Sequence, residues 1–365
     1  MQVKEITTFI ESLSPLAWQE SYDNAGLAIG NPEDEIHGVL LTLDITEEVV
    51  DEAIHLNLNM IISHHPLIFS GLKKINGKNE TERCVVKAIK NNIAIYSAHT
   101  NLDSVYGGVN SKICEKLGLT NCRILSPAEQ QLKKLVTFVP VADAEKVRNA
   151  VFEAGAGNIG NYDRCSFNTD GTGTFRGNEL TNPYVGKRGE LHFEKETRFE
   201  TIFPKYLQHK IISALLKAHP YEEVAYDIYP LDNVHPRVGI GMVGELTEAV
   251  DEIDFLRSVK TIFACQVIKH TALLHKKVKK VAVTGGAGSN YLRVAIAAKA
   301  DVFITGDFKY HQFFEAENKI LIADIGHFES EQFSKELFYE LLTKKFPTFA
   351  VRLSEVETNP VRYLI

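Results

Sequence analysis

The sequence predicts an α/β protein, a parallel-sheet core into which a smaller α+β domain is inserted. Three observations carry this. Short apolar strands alternate with helices in the first third of the chain, and the same rhythm returns in the last third. Between them lies a Gly/Asn-rich stretch with a different order of elements. Strands joined by crossover helices imply parallel pairing with both sheet faces covered. A length of 365 residues gives room for two or three domains of about 150 residues.

The elements follow in order. Residues 3–13 read as a helix ended by Ser14-Pro15. Val39–Leu43 is a strand and Asp44 follows it; Thr46 then caps a helix with Glu47 and Glu48 in its first turn. Met60–Ser63, Ile93–Ala98 and the helices 81–91 and 109–117 continue the pattern. In the middle, Leu135–Pro140 is a strand, 144–154 a helix, and 155–178 carries turn chemistry throughout. Glu190–Glu200 alternates like a strand, 205–218 is a helix and Val224–Tyr229 a strand. A β-α-β-β-α-β order of this kind suits a ferredoxin-like unit. Strands at 280–284, 302–305, 320–323 and 349–353, with helices to 299, at 310–318 and at 330–345, complete the chain. The domains are therefore 1–125 with 236–365, and an insert at 126–235.

Composition narrows the function. Hydrophobic residues at 44% and charged residues at 24% exclude general disorder. A net charge of −7 argues against duplex nucleic acid as a partner. No apolar run approaches the roughly 18 residues of a membrane span. The start, MQVKEITTFIESLS, lacks the basic opening and apolar block of a signal peptide, which places the protein in the cytoplasm. Five widely spaced cysteines, with no C-x-x-C, read as reduced core thiols.

Three polar segments each follow an apolar strand directly, at the sheet edge where α/β proteins bind ligands. They are His64-His65-Pro66, His99-Thr100-Asn101-Leu102-Asp103, and Asp324-Ile325-Gly326-His327-Phe328-Glu329-Ser330-Glu331. Singly, each has an ordinary explanation: loop histidines, a turn cap at Asp103, a helix cap at Asp324 or Ser330. Together they point to a metal site, because imidazole and carboxylate suit zinc, manganese and iron alike. His327 and Glu331 are four apart, so a helix places them on one face.

Weaker candidates are Asp307 and His311, after the strand 302–305, and Asn24 in the loop Tyr22–Leu27. These can face a substrate, or simply cap turns. The run Gly285-Gly286-Ala287-Gly288-Ser289 between strand and helix can hold an anion on backbone N–H groups, and close strand–helix packing explains it equally. The G-x-G-x-x-G matches at 155–160 and 239–244 lack the strand-to-helix context of a dinucleotide site. There is no G-x-S-x-G elbow and no H-E-x-x-H helix.

The segments YDNAGL (22–27), SHHPLIFSGLK (63–73), HTNLD (99–103), GIGMVGEL (239–246), GGAGS (285–289), TGDFKYH (305–311) and DIGHFESE (324–331) together resemble the Nif-three-like family. Its bacterial members bear the name GTP cyclohydrolase 1 type 2 homologue. The resemblance spans nearly all of 1–125 and 236–365, and the insert is similar to the CutA/PII-like domain of the longer members. It implies two divalent cations per chain on His64, His65, Asp103, His327 and Glu331, and a toroidal homohexamer around an internal cavity. On this reading the protein is a metal-dependent hydrolase of a nucleotide-like substrate. Glu331 bridges the ions, His65 and Asp103 complete one shell, His64 and His327 the other, and His99 moves a proton. The alternative is a non-catalytic metal-binding scaffold or regulator whose insert binds a small effector.

Overall fold

A computed structural model describes residues 1–364 of the chain. They form two compact units, Met1–Pro127 with Arg237–Ile365, and Ala128–Pro236. The first segment carries α1 (Val3–Leu13), β1 (Gly26–Ile29), β2 (Gly38–Thr42), α2 (Glu47–His55), β3 (Met60–Ser63), α3 (Glu80–Lys90), β4 (Ala94–Ser97), α4 (Thr100–Asp103), α5 (Val109–Lys116) and β5 (Thr120–Pro127). The insert carries β6 (Leu132–Pro140), α6 (Ala144–Glu153), β7 (Phe167–Phe175), β8 (His192–Pro204), α7 (Gln208–Ala218) and β9 (Tyr226–Pro230). The last segment opens with β10 (Gly239–Asp251), α8 (Glu252–Ile262), β11 (Lys269–His270), β12 (Lys277–Ala287) and α9 (Leu292–Ala297). It closes with β13 (Val302–Gly306), β14 (Leu321–Asp324), α10 (His327–Glu331), α11 (Ser334–Lys345) and β15 (Ala350–Leu353).

The larger unit has two mixed sheets where a parallel core is expected. One runs β1-β4-β3-β2-β15, the other β11-β14-β13-β12-β10-β5. The parallel character is confined to β15-β2-β3-β4 and to β12-β13-β14; β1, β10, β5 and β11 pair antiparallel. Both faces of each parallel group are buried, and alternation divides their residues between cores. Val39, Leu41, Met60 and Ile62 join Val281, Val283, Val302 and Ile304 in a shared core with α1, α5 and α11. Leu40, Ile61 and Ile95 face α2 and α3, and Ala282, Phe303 and Ile322 face α9.

Local chemistry sets the helix boundaries. α1 buries Val3, Ile6, Thr7 and Ile10, one stripe of a 3.6-residue period. Thr46 accepts the Val49 N–H at 3.3 Å at the start of α2, and Asn79 accepts the Glu82 N–H at 2.8 Å at the start of α3.

In the insert, the sheet order β7-β8-β6-β9 is antiparallel throughout, with α6 and α7 packed against one face. This is the ferredoxin-like β-α-β-β-α-β arrangement. Its second strand, β7, lies inside the stretch read as turns. It is an edge strand of Gly, Thr and Asn with mostly exposed side chains, so it has no apolar signature. The single helix expected at 330–345 is two, α10 and α11, and the chain turns at Gln332-Phe333 where Phe333 stacks edge-on against Phe263. Among the described residues no helix is long and apolar enough to cross a membrane, and all five cysteines are unpaired.

Phe303 is fully buried under α9. Phe303→Ala is expected to lower stability by about 3–5 kcal/mol, read as a lower urea midpoint; an unchanged midpoint contradicts this packing.

Candidate metal centre

The carboxyl ends of the parallel strands in both sheets converge. β2 leads to Asp44, β3 to His64 and His65, and β4 through α4 to His99 and Asp103. From the other sheet, β13 leads to Asp307 and β14 to α10, whose ends are His327 and Glu331. Glu331, 3% exposed, lies at the middle. Its Oε2 is 2.9 Å from His65 Nε2 and 3.0 Å from His327 Nε2. Its Oε1 is 3.7 Å from His64 Nε2, which is also 3.7 Å from Asp103 Oδ1. Two donor groups that could each hold a metal ion therefore share Glu331: His64 with Asp103, and His65 with His327. The expected pairing, His65 with Asp103 and His64 with His327, divides the same residues differently. The two imidazoles of the second group sit 3.3 Å apart at Nε2, which leaves Asp103 to the side of His64.

Each imidazole is fixed from behind. His64 Nδ1 donates to the Ala98 carbonyl at 2.9 Å. His65 Nδ1 meets Asp44 Oδ1, and His327 Nδ1 meets Asp307 Oδ2, each at 2.7 Å. The Nε2 atoms are thereby turned to the centre, as in carboxylate–histidine–metal arrangements. His99 is treated the same way: its Nδ1 lies 2.7 Å from Asp23 Oδ1, and Asp23 also accepts the Thr100 N–H at 3.0 Å and the Thr100 hydroxyl. The His99 ring stands 5.3 Å from His64 and 5.4 Å from His65.

The glycine run makes room instead of binding an anion. Gly285 N–H donates to Asn110 Oδ1, Gly286 N–H to Ser330 Oγ and Gly288 N–H to Thr305 Oγ1, all at 2.9 Å. A Cβ on Gly286 would stand 2.3 Å from Glu331 Oε1, and φ there is +60°. No side chain other than hydrogen lets the carboxylate occupy this place.

The electrostatics follow from burial and pairing. Burial opposes charge on His65, yet hydrogen bonds to Asp44 and Glu331 prevail and push its pKa up to about 10. Burial likewise opposes charge on His327, and Glu331 with Asp307 carries it to about 9. Burial raises Asp103 to about 6, reinforced by the Glu331 charge and opposed by His64. Burial would also raise Glu331, but the surrounding imidazoles hold it well below the usual carboxylate range. His64 Nε2 and Asp103 Oδ1 are buried with no hydrogen-bond partner although they face each other. A buried donor or acceptor left unpaired is costly; a cation between these atoms and Glu331 Oε1 would satisfy both. The donor set thus fits a metal.

Other predicted residues fall differently. Asp307 supports His327 from behind. Asn24 is exposed and donates to the Ile68 carbonyl at 2.6 Å, tying two loops together; its neighbour Asp23 is the residue that reaches the site. His311 is exposed and packs on Tyr310 and Phe314, away from the cluster. Asp44, absent from the expected site, holds His65 and also accepts the Thr358 hydroxyl at 2.8 Å. Its signal in the sequence is its position, directly after an apolar strand like the others.

A family model described as Duf34/NIF3 (NGG1p interacting factor 3) matches residues 1–360. A protein of Halalkalibacterium halodurans named GTP cyclohydrolase 1 type 2 homolog is 40% identical, covering 98% of each chain. The protein of that name from Bacillus subtilis is 40% identical over 99% of this chain and 98% of its own. Among solved structures, a Bacillus cereus protein related to NIF3 is 42% identical with a TM-score of 0.85, covering 100% of this chain and 99% of its own. Staphylococcus aureus protein SA1388 is 28% identical with a TM-score of 0.80 over the same shares.

Gly286→Ala is expected to displace the Glu331 carboxylate and abolish zinc or manganese retention through dialysis, with the far-ultraviolet dichroism unchanged. Retention equal to wild type would show that Glu331 does not need this space.

Proposed function

The chain belongs to the Duf34/NIF3 family, and from that premise we propose that it is a dinuclear metal-dependent hydrolase acting on a nucleotide-like substrate. The observation that carries the reading is the orphaned buried pair, His64 Nε2 and Asp103 Oδ1, sharing one carboxylate with His65 and His327. His64, Asp103 and Glu331 Oε1 would hold one divalent ion, and His65, His327 and Glu331 Oε2 the other. When bound, such a pair lowers the pKa of a water toward about 7 and polarises the group attacked. Zinc, manganese and iron all suit these donors.

The protein's own part is positioning and proton handling. The Ala98 carbonyl, Asp44 and Asp307 fix which nitrogen of each imidazole faces the centre. Asp23 orients His99 in the same way, so that its Nε2 is placed to take or return a proton beside the cluster. The name borne by the relatives supports the nucleotide class of substrate. Family membership also supports assembly as a toroidal homohexamer, with cytoplasmic location.

Purified protein should contain about two divalent ions per chain, and His64→Ala and Glu331→Ala should each lose them by elemental analysis. Hydrolysis of guanosine triphosphate should stop on chelation and return with the metal. Absence of metal even after incubation with zinc, manganese and iron would sink the reading; metal without hydrolysis of any nucleotide would leave a binding protein. Imidazole ligates only as the neutral base, and with His65 raised to about 10 and His327 to about 9 a cation must displace protons from both; loading is expected to release protons and retained metal to fall steadily as the pH is lowered, measured by dialysis across a pH series.

A further inference from the structure

Independently of the metal cluster, the insert contains a cavity of about 600 Å³, of the size that takes a small organic ligand. It lies on the sheet face opposite α6 and α7: Leu135, Val139, Phe199 and Phe203 point to those helices, while the alternate residues Phe138, Glu196 and Arg198 line the cavity. Phe175, Tyr184 and Tyr221 form aromatic walls, with ring centroids 5.9 Å apart for Phe175–Tyr221 and 6.3 Å for Tyr184–Tyr221.

Two glycines of β7 make this space. Gly171 and Gly173 lie in mid-strand, where glycine weakens pairing and often marks a close approach. Neither has positive φ, so no turn requires them. A Cβ on Gly173 would stand 2.0 Å from Glu196 Oε2, and one on Gly171 would meet nothing within 4 Å. The first glycine admits a carboxylate and the second leaves open volume. Glu196 is 8% exposed between the aromatic walls, the buried carboxylate of a lining that also carries Arg198 and Glu222, and its Oε1 accepts the Tyr221 hydroxyl at 2.8 Å. A carboxylate buried among aromatic rings accepts from N–H groups, and the rings stack on a flat partner.

We propose that this cavity binds a planar heteroaromatic ligand bearing amino or ring N–H donors, a purine base or its nucleoside, stacked on Tyr221 and Phe175 and held by Glu196. The site lies wholly within the insert and needs no metal.

Adenosine is the probe, titrated into the full-length protein and followed by saturation-transfer NMR. Saturable binding is expected. Gly171→Leu fills the open volume, and Glu196→Gln keeps the Tyr221 contact while removing one acceptor; each should weaken adenosine by at least about tenfold. Glu331→Ala, which disables the metal cluster, should leave it unchanged. Cyclohexylamine, a small cation whose ring is not flat, should not compete. The proposal is overturned if wild type shows no saturable binding, if Gly171→Leu binds as wild type does, or if cyclohexylamine displaces adenosine. Loss of binding in Glu331→Ala instead would place adenosine at the metal cluster and overturn the assignment to the insert, leaving the hydrolase reading intact.

Discussion

A carboxylate with almost no exposure to water must be surrounded by groups that accept its charge, and much of the larger unit is arranged to do this for Glu331. Three imidazoles point at its two oxygens. Each has its far nitrogen committed to an acceptor, so none can turn away. Gly286 contributes by having no side chain, and its N–H donates to Ser330 Oγ, next to Glu331 in the last turn of α10. Breaking any one of these contacts leaves a buried charge short of partners, which costs more than the contact itself is worth.

The two sheets explain why the cluster can be so dense. Parallel strands deliver their following residues to one edge, and two parallel groups face each other across a shared core. Each supplies what the other lacks. The first brings two adjacent histidines and Asp103, and the second brings a histidine and a carboxylate one helical turn apart. The antiparallel strands at the margins extend the sheets without adding to this edge.

The cluster residues were legible because each lies in a polar segment that directly follows an apolar strand, and His327 and Glu331 carry helical spacing as well. Which imidazole joins which carboxylate was not legible. His65 and Glu331 are 266 positions apart, and their contact depends on how two sheets pack, which no local pattern encodes. The supporting aspartates were half visible: Asp44 and Asp307 sit at strand ends, but a carboxylate behind a ring and one beside a substrate look alike in sequence. β7 escaped because between its two terminal phenylalanines this exposed edge strand has only polar residues and glycine and no apolar alternation. The glycine run was ambiguous between binding an anion and admitting a side chain, and only the position of Glu331 decides it.

Asp44 is held both by His65 and by Thr358, 314 positions further along the chain. Asn359 reaches Glu329 on α10 as well. During synthesis, the N-terminal half with His64, His65 and Asp103 emerges first, and the 109 residues of the insert follow, Ala128–Pro236, before α10 exists. The clasp from Thr358 therefore closes only after the insert and α10 have been made, and until then His65 and Asp44 lack their partners from the last segment.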